Sequence, residues 1–148
     1  MLDSAIAKKD EIMSVSVSGK YLGGLGVELH HGPSGNTMRT AAPVDNNGDG
    51  SSFSPTDMVA SGLGACMLTI IAIVGERDGL KLDGLQFRAE KHMAANPRRI
   101  EKVDLVIEMP AGLSSGQRKK LEKAAMTCPV KNTLSAETET PVEFRYPD

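Results

Sequence analysis

Apolar and polar positions alternate from Met13 onward. Val15 and Val17 stand between Ser14, Ser16 and Ser18, which is the period of a strand with one covered face. Gly19-Lys20 predicts a turn, and residues 21–31 predict a return strand with glycine irregularities. The stretch Gly32-Pro33-Ser34-Gly35-Asn36 predicts a second turn, and residues 37–42 a third strand stopped by Pro43. These strands form an expected antiparallel meander, preceded by a short helix or loose arm over residues 1–12. A polar, glycine-rich loop follows over residues 45–55. Asp45, Asn47 and Asp49 have the spacing of a calcium loop, but Thr56 stands where that loop requires a bidentate glutamate. A flexible loop is therefore expected.

Ser54-Pro55-Thr56-Asp57 has the chemistry of a helix start: a capping hydroxyl, a proline at the first position and an acid at the positive end of the dipole. Residues 58–74 are apolar on nearly every side. The predicted helix, running to about Arg77, should then be buried all round as a core helix and should not span a membrane. Gly62 and Gly64 cost helix propensity of about 1 kcal/mol each, which predicts close backbone packing there. Asp78-Gly79 ends the helix. Two strands are expected next, near residues 80–89 and around Val103, Leu105 and Ile107, joined by a loop over residues 92–99. Ser114 or Ser115 caps a helix with Leu121, Ala124 and Ala125 inward; Cys128-Pro129 opens a short helix to about Ala136; residues 141–146 form a last strand. The order β-β-β-α-β-β-α-α-β is α+β, in a single domain over residues 1–148.

Composition narrows the function classes. The 148 residues carry 17 Lys+Arg against 19 Asp+Glu, and the aromatics are three Phe, two Tyr and no Trp. Neither a basic footprint nor a stacking surface for nucleic acid is present. The N-terminal MLDSAIAKKDEIM carries acids early, so no targeting segment is expected, and the chain reads as soluble and cytoplasmic. Two cysteines cannot make a disulfide scaffold, and thiols in a reducing compartment are free or redox-active more often than structural. Neither cysteine has a near partner at zinc-ligand spacing, and His30-His31 and His92 supply none, so no metal and no bound cofactor are expected. His30-His31 reads as an exposed strand end, the methionines as fillers of core or interface, and Arg98-Arg99 and Arg118-Lys119-Lys120 as solvated faces.

The two thiols have unequal settings. Cys128 precedes a proline at a helix start, among unpaired backbone N–H groups that favour a thiolate, which predicts a lowered pKa. Cys66 lies on the apolar helix, which by itself favours a buried, inert thiol.

The run from Ser54-Pro55-Thr56-Asp57 to Ser61-Gly62-Leu63-Gly64-Ala65-Cys66, followed by Ala125-Met126-Thr127-Cys128-Pro129-Val130, resembles the OsmC/Ohr superfamily of osmotically inducible and organic-hydroperoxide-resistance proteins. The resemblance implies antiparallel sheets around two central helices in an intertwined homodimer, with sites at the subunit interface. It implies a thiol-dependent peroxidase of oxidative stress defence, with Cys66 as the peroxidatic nucleophile and Cys128 as the resolving thiol. It also implies a hydroperoxide substrate and an external dithiol reductant, lipoyl-type for some members. The chain departs from the pattern in two places. Thr56, followed by Asp57, stands where better-known members carry glutamate, and the Gly23-Gly24-Leu25-Gly26 turn lacks their arginine. Arg39 is the best replacement cation, with Thr56 and Asp57 as supporting residues; Glu76 and Arg77 lie too far along the helix. A second reading is a non-catalytic dimeric small-molecule-binding protein on this scaffold, and a third is a redox-sensing module.

Overall fold

The computed structural model describes residues 13–148, so the expected arm over residues 1–12 lies outside the described residues. The chain forms two compact units, one up to Pro55 and one from Thr56 to Asp148.

The first unit is an antiparallel meander of β1 (Val17–Gly23), β2 (Gly26–His31) and β3 (Thr37–Ala41), in that order. Gly19-Lys20 is not a turn: both residues lie inside β1, opposite Leu29 and Glu28. The reversal falls at Gly24 and Leu25, whose φ angles of 60° and 61° give the two consecutive positive values a tight hairpin needs. The loop after β3 is tied down. Ala41 N–H donates to Phe53 O at 3.0 Å, and Ser52 Oγ donates to Arg39 O at 2.9 Å. Asp49 of the calcium-like sequence accepts from Ser51 N–H at 3.0 Å. The histidines at the end of β2 are exposed, as expected, and His31 pairs with Ser34.

The second unit is built on α1 (Pro55–Arg77), whose two ends match the sequence signals. Gly79 closes it with φ 72°, while Leu80 N–H reaches back to Gly75 O at 2.9 Å. β4 (Gln86–Ala94) and β5 (Arg99–Glu108) form an antiparallel hairpin. β4 starts later than expected and runs through the first three residues of the expected loop, because its pairing with β5 continues to Ala94 opposite Arg99. α2 (Ser115–Ala125) starts at Ser114 with a reciprocal capping box to Gln117. α3 (Pro129–Thr133) is shorter than expected, and β6 (Val142–Arg145) completes the sheet in the order β4-β5-β6. The expected all-antiparallel sheet needs one correction: β6 pairs with β5 in parallel. Two helices carry the chain back to the end where β5 began, and such a crossover returns a strand in the same direction.

Leu63, Met67 and Ile71 of α1 meet Val103, Leu105 and Ile107 of β5 and Leu121 and Ala125 of α2 in the core. α1 is long and apolar enough to cross a membrane, but this stripe makes it the core helix of its unit. It is not buried all round. Ala60, Leu63, Gly64, Met67, Ile71 and Gly75 share one covered side, whereas Ile73 on the other side is 57% exposed. Arg118 is more than a solvated charge: its guanidinium lies 4.1 Å over the Tyr146 ring and pairs with Asp148 at 2.9 Å.

Candidate functional site

Cys66 sits on the third turn of α1 and packs against the core cluster that contains Cys128. Cys128 follows the end of α2 and is the N-cap of α3, with Pro129 at the first helical position. Lys131 N–H donates to its sulfur at 3.5 Å. Neither cysteine is in a disulfide, and the two thiols are close enough for Cys66 to act on the proton affinity of Cys128. Residues sixty-two positions apart in the chain are thus brought together by the packing of α1 against the α2–α3 turn.

The predicted low pKa of Cys128 is overturned. Burial pushes the thiol up, and the neighbouring Cys66 pushes in the same direction. The cap N–H groups of Lys131 and Val130 do pull it down, as the sequence suggests, but desolvation of a fully buried sulfur outweighs them. A thiol raised above its unfolded value of about 8.5 stabilises the fold fully below that pH, and the contribution is lost as pH rises through the folded pKa. Tyr146, raised by burial and by its hydrogen bond to Glu122, has the same sign at higher pH. The urea midpoint of the reduced protein should therefore fall between pH 7.5 and about 9.5. The fall should be smaller in Cys128→Ser; equal falls in the two proteins would remove Cys128 as a cause.

A cleft of about 490 Å³ is lined by Met58, Val59 and Gly62 of α1 and by Pro129, Val130, Thr133 and Leu134; neither cysteine lines it. Its lining is almost wholly apolar. One wall lies one to two turns before Cys66 and the other begins immediately after Cys128 in the chain.

The supporting residues Thr56 and Asp57 are held by a lysine of the sheet. Lys91 of β4 donates its ammonium to Thr56 Oγ1 at 2.7 Å and to Asp57 Oδ1 at 2.8 Å. This contact anchors the start of α1 to the sheet. Thr56 lies ten residues before Cys66, about 15 Å along the helix axis, so neither it nor Asp57 reaches the Cys66 thiol within the chain. Lys91 carries no signal in the local sequence; only the register of β4 shows its place. Arg39 belongs to the first unit, where its guanidinium covers Gly26 so closely that a Cβ there would stand 2.9 Å from Nη2. Arg77 pairs with Asp78 at 3.7 Å, at the far end of α1.

A family model described as OsmC-like protein matches residues 48–143. A Psychrobacter arcticus protein named for osmotic stress induction and detoxification response is 34% identical over 91% of this chain and 99% of its own, with a TM-score of 0.85. An organic hydroperoxide resistance protein OsmC from Legionella pneumophila is 19% identical over 90% of this chain and 97% of its own, with a TM-score of 0.71. One from Elizabethkingia anophelis is 16% identical over 93% and 99%, with a TM-score of 0.73. The last two share the fold. No curated protein matches.

Proposed function

The chain belongs to the OsmC-like protein family, and on that premise we propose that it is a thiol-dependent peroxidase for organic hydroperoxides. The observation that carries the reading is the pairing of the free thiols of Cys66 and Cys128, with an apolar cleft whose walls are the neighbouring residues of the same two elements. In this reading the Cys66 thiolate attacks the terminal oxygen of the hydroperoxide and the O–O bond breaks. Cys66 becomes a sulfenic acid, and the departing alkoxide takes a proton from Cys128 and leaves as the alcohol. A raised pKa suits Cys128 to that role, because it holds the proton until the alkoxide needs it. The Cys128 thiolate then attacks the Cys66 sulfur, the S–S bond forms, and hydroxide leaves as water after protonation. An external dithiol, of the lipoyl type, restores both thiols by exchange and becomes a disulfide. The cleft would take the organic group of the substrate.

The working form is a homodimer in a reducing compartment such as the cytoplasm. The open side of α1 supports a second copy, as does the exposed β1, where Val17 is 70% accessible. A non-catalytic, small-molecule-binding role is the second reading; Thr56 in place of a glutamate, held by Lys91, favours it.

The test is the oxidation product. Reduced protein treated with stoichiometric cumene hydroperoxide should lose both free thiols and become about 2 Da lighter, with the Cys66 and Cys128 peptides linked. Two thiols still titratable after excess peroxide would overturn the peroxidase and favour the binding role.

A further inference from the structure

Three glycines of α1 have different surroundings. A Cβ at Gly64 would stand 2.3 Å from the Phe87 ring, and one at Gly75 would stand 2.8 Å from Leu82. Both positions are glycine because the chain packs through them; at Gly64 the close neighbour is a ring, not the backbone that the sequence suggested. At Gly62 a Cβ would meet nothing within 4 Å. A glycine inside a helix disfavours it relative to alanine, so an uncrowded mid-helix glycine serves something outside the chain's own packing. Gly62 lies one turn before Cys66 and on the wall of the apolar cleft.

We infer that Gly62 is a specificity-determining residue: its missing side chain keeps a lane open through which the bulky organic group of a hydroperoxide lies against Val130 and Thr133 while its peroxide end reaches Cys66. The inference rests on the peroxidase reading for the identity of the ligand. The cleft has the volume of a small-molecule site and an apolar lining suited to an alkyl or aryl group, and its wall at Gly62 stands one helical turn before Cys66. A side chain at position 62 would project into that lane and select against substrates by size. Binding of apolar groups discriminates in this way by about ten- to two-hundredfold.

The experiment compares wild type with Gly62→Ala and Gly62→Leu. For the leucine variant, the ratio of kcat/KM for cumene hydroperoxide to that for hydrogen peroxide should fall at least about tenfold, with a smaller fall for alanine. The alanine variant should melt higher than wild type, because the new Cβ meets open space and helix propensity improves. An unchanged ratio would overturn the inference. A second readout does not need turnover: 2-phenyl-2-propanol, the product alcohol, should perturb the backbone amides of Gly62, Val130 and Thr133 in wild type and not in Gly62→Leu. Perturbation of those amides in a wild type that consumes no peroxide would sink the peroxidase while leaving Gly62 as the gate of a binding site. Absence of that perturbation would sink the gate. If either substitution halves the particle mass, the cleft is a contact between copies and the inference is overturned.

Discussion

Cys66→Ser is expected to lower dithiol-dependent turnover of cumene hydroperoxide by at least about a thousandfold. A serine hydroxyl does not ionise near neutral pH, and its oxygen cannot accept the peroxide oxygen to become a sulfenic acid. The fold should survive, because Cys66 is only partly buried and its replacement is nearly isosteric. Cys128→Ser separates the two roles. The Cys66 sulfenic acid would still form, but no second thiol would lie beside it. Excess peroxide should carry it on to the sulfinic acid, and turnover should stop after about one cycle unless the external thiol attacks directly. Stopped-flow consumption of peroxide, with a sulfenic-acid trap and intact mass, reads all three states. Equal turnover in wild type and Cys66→Ser would remove the mechanism. A stable disulfide in Cys66→Ser would be impossible within one chain and would reveal crosslinking between copies.

Ile73→Asp should convert the protein from a particle of twice the chain mass to one of the chain mass. Within one chain Ile73 is 57% exposed, and a polar substitution at such a surface position ordinarily changes stability by no more than about 0.5 kcal/mol. If a second copy covers α1, the same carboxylate would lose its water in an apolar contact, at a cost of several kcal/mol. These two expectations differ enough to decide the question by light scattering. Activity should fall together with the mass, since the side of α1 that carries Ile73 runs on toward Gly62 and the thiols. A wild type that scatters as a single chain, or an Ile73→Asp variant that keeps the doubled mass, would remove the homodimer through α1. The loss of dimer in Ile73→Asp with full activity would place the thiol chemistry within one chain.

Much of the fold was legible because its signals are local. Pro55 and Asp78-Gly79 bound α1 through rules that act within one turn, and Ser114 with Gln117 starts α2 in the same way. The alternation of Val103, Leu105 and Ile107 marks the buried side of β5. The misplaced turn in the first hairpin has a local cause as well. Several glycines occur between residues 19 and 26, each compatible with reversal, and the pairing of Lys20 with Glu28 decides among them. The direction of β6 had no such signal, since strand alternation is the same in parallel and antiparallel pairs.

The candidate site divides along the same line. The sequence by itself identified the two thiols, placed Cys128 at a helix cap and located the apolar helix that carries Cys66. Those are properties of a residue and its near neighbours. Only the tertiary structure decided that the thiols come together, that burial overrides the cap and raises the Cys128 pKa, and that Lys91 occupies Thr56 and Asp57 at the start of α1. The physical reason is that solvation and hydrogen-bond partners are set by whichever elements pack together. Cys66 and Cys128 meet through α1 and the α2–α3 turn, a contact that spans sixty-two positions and leaves no mark in the local pattern of either residue.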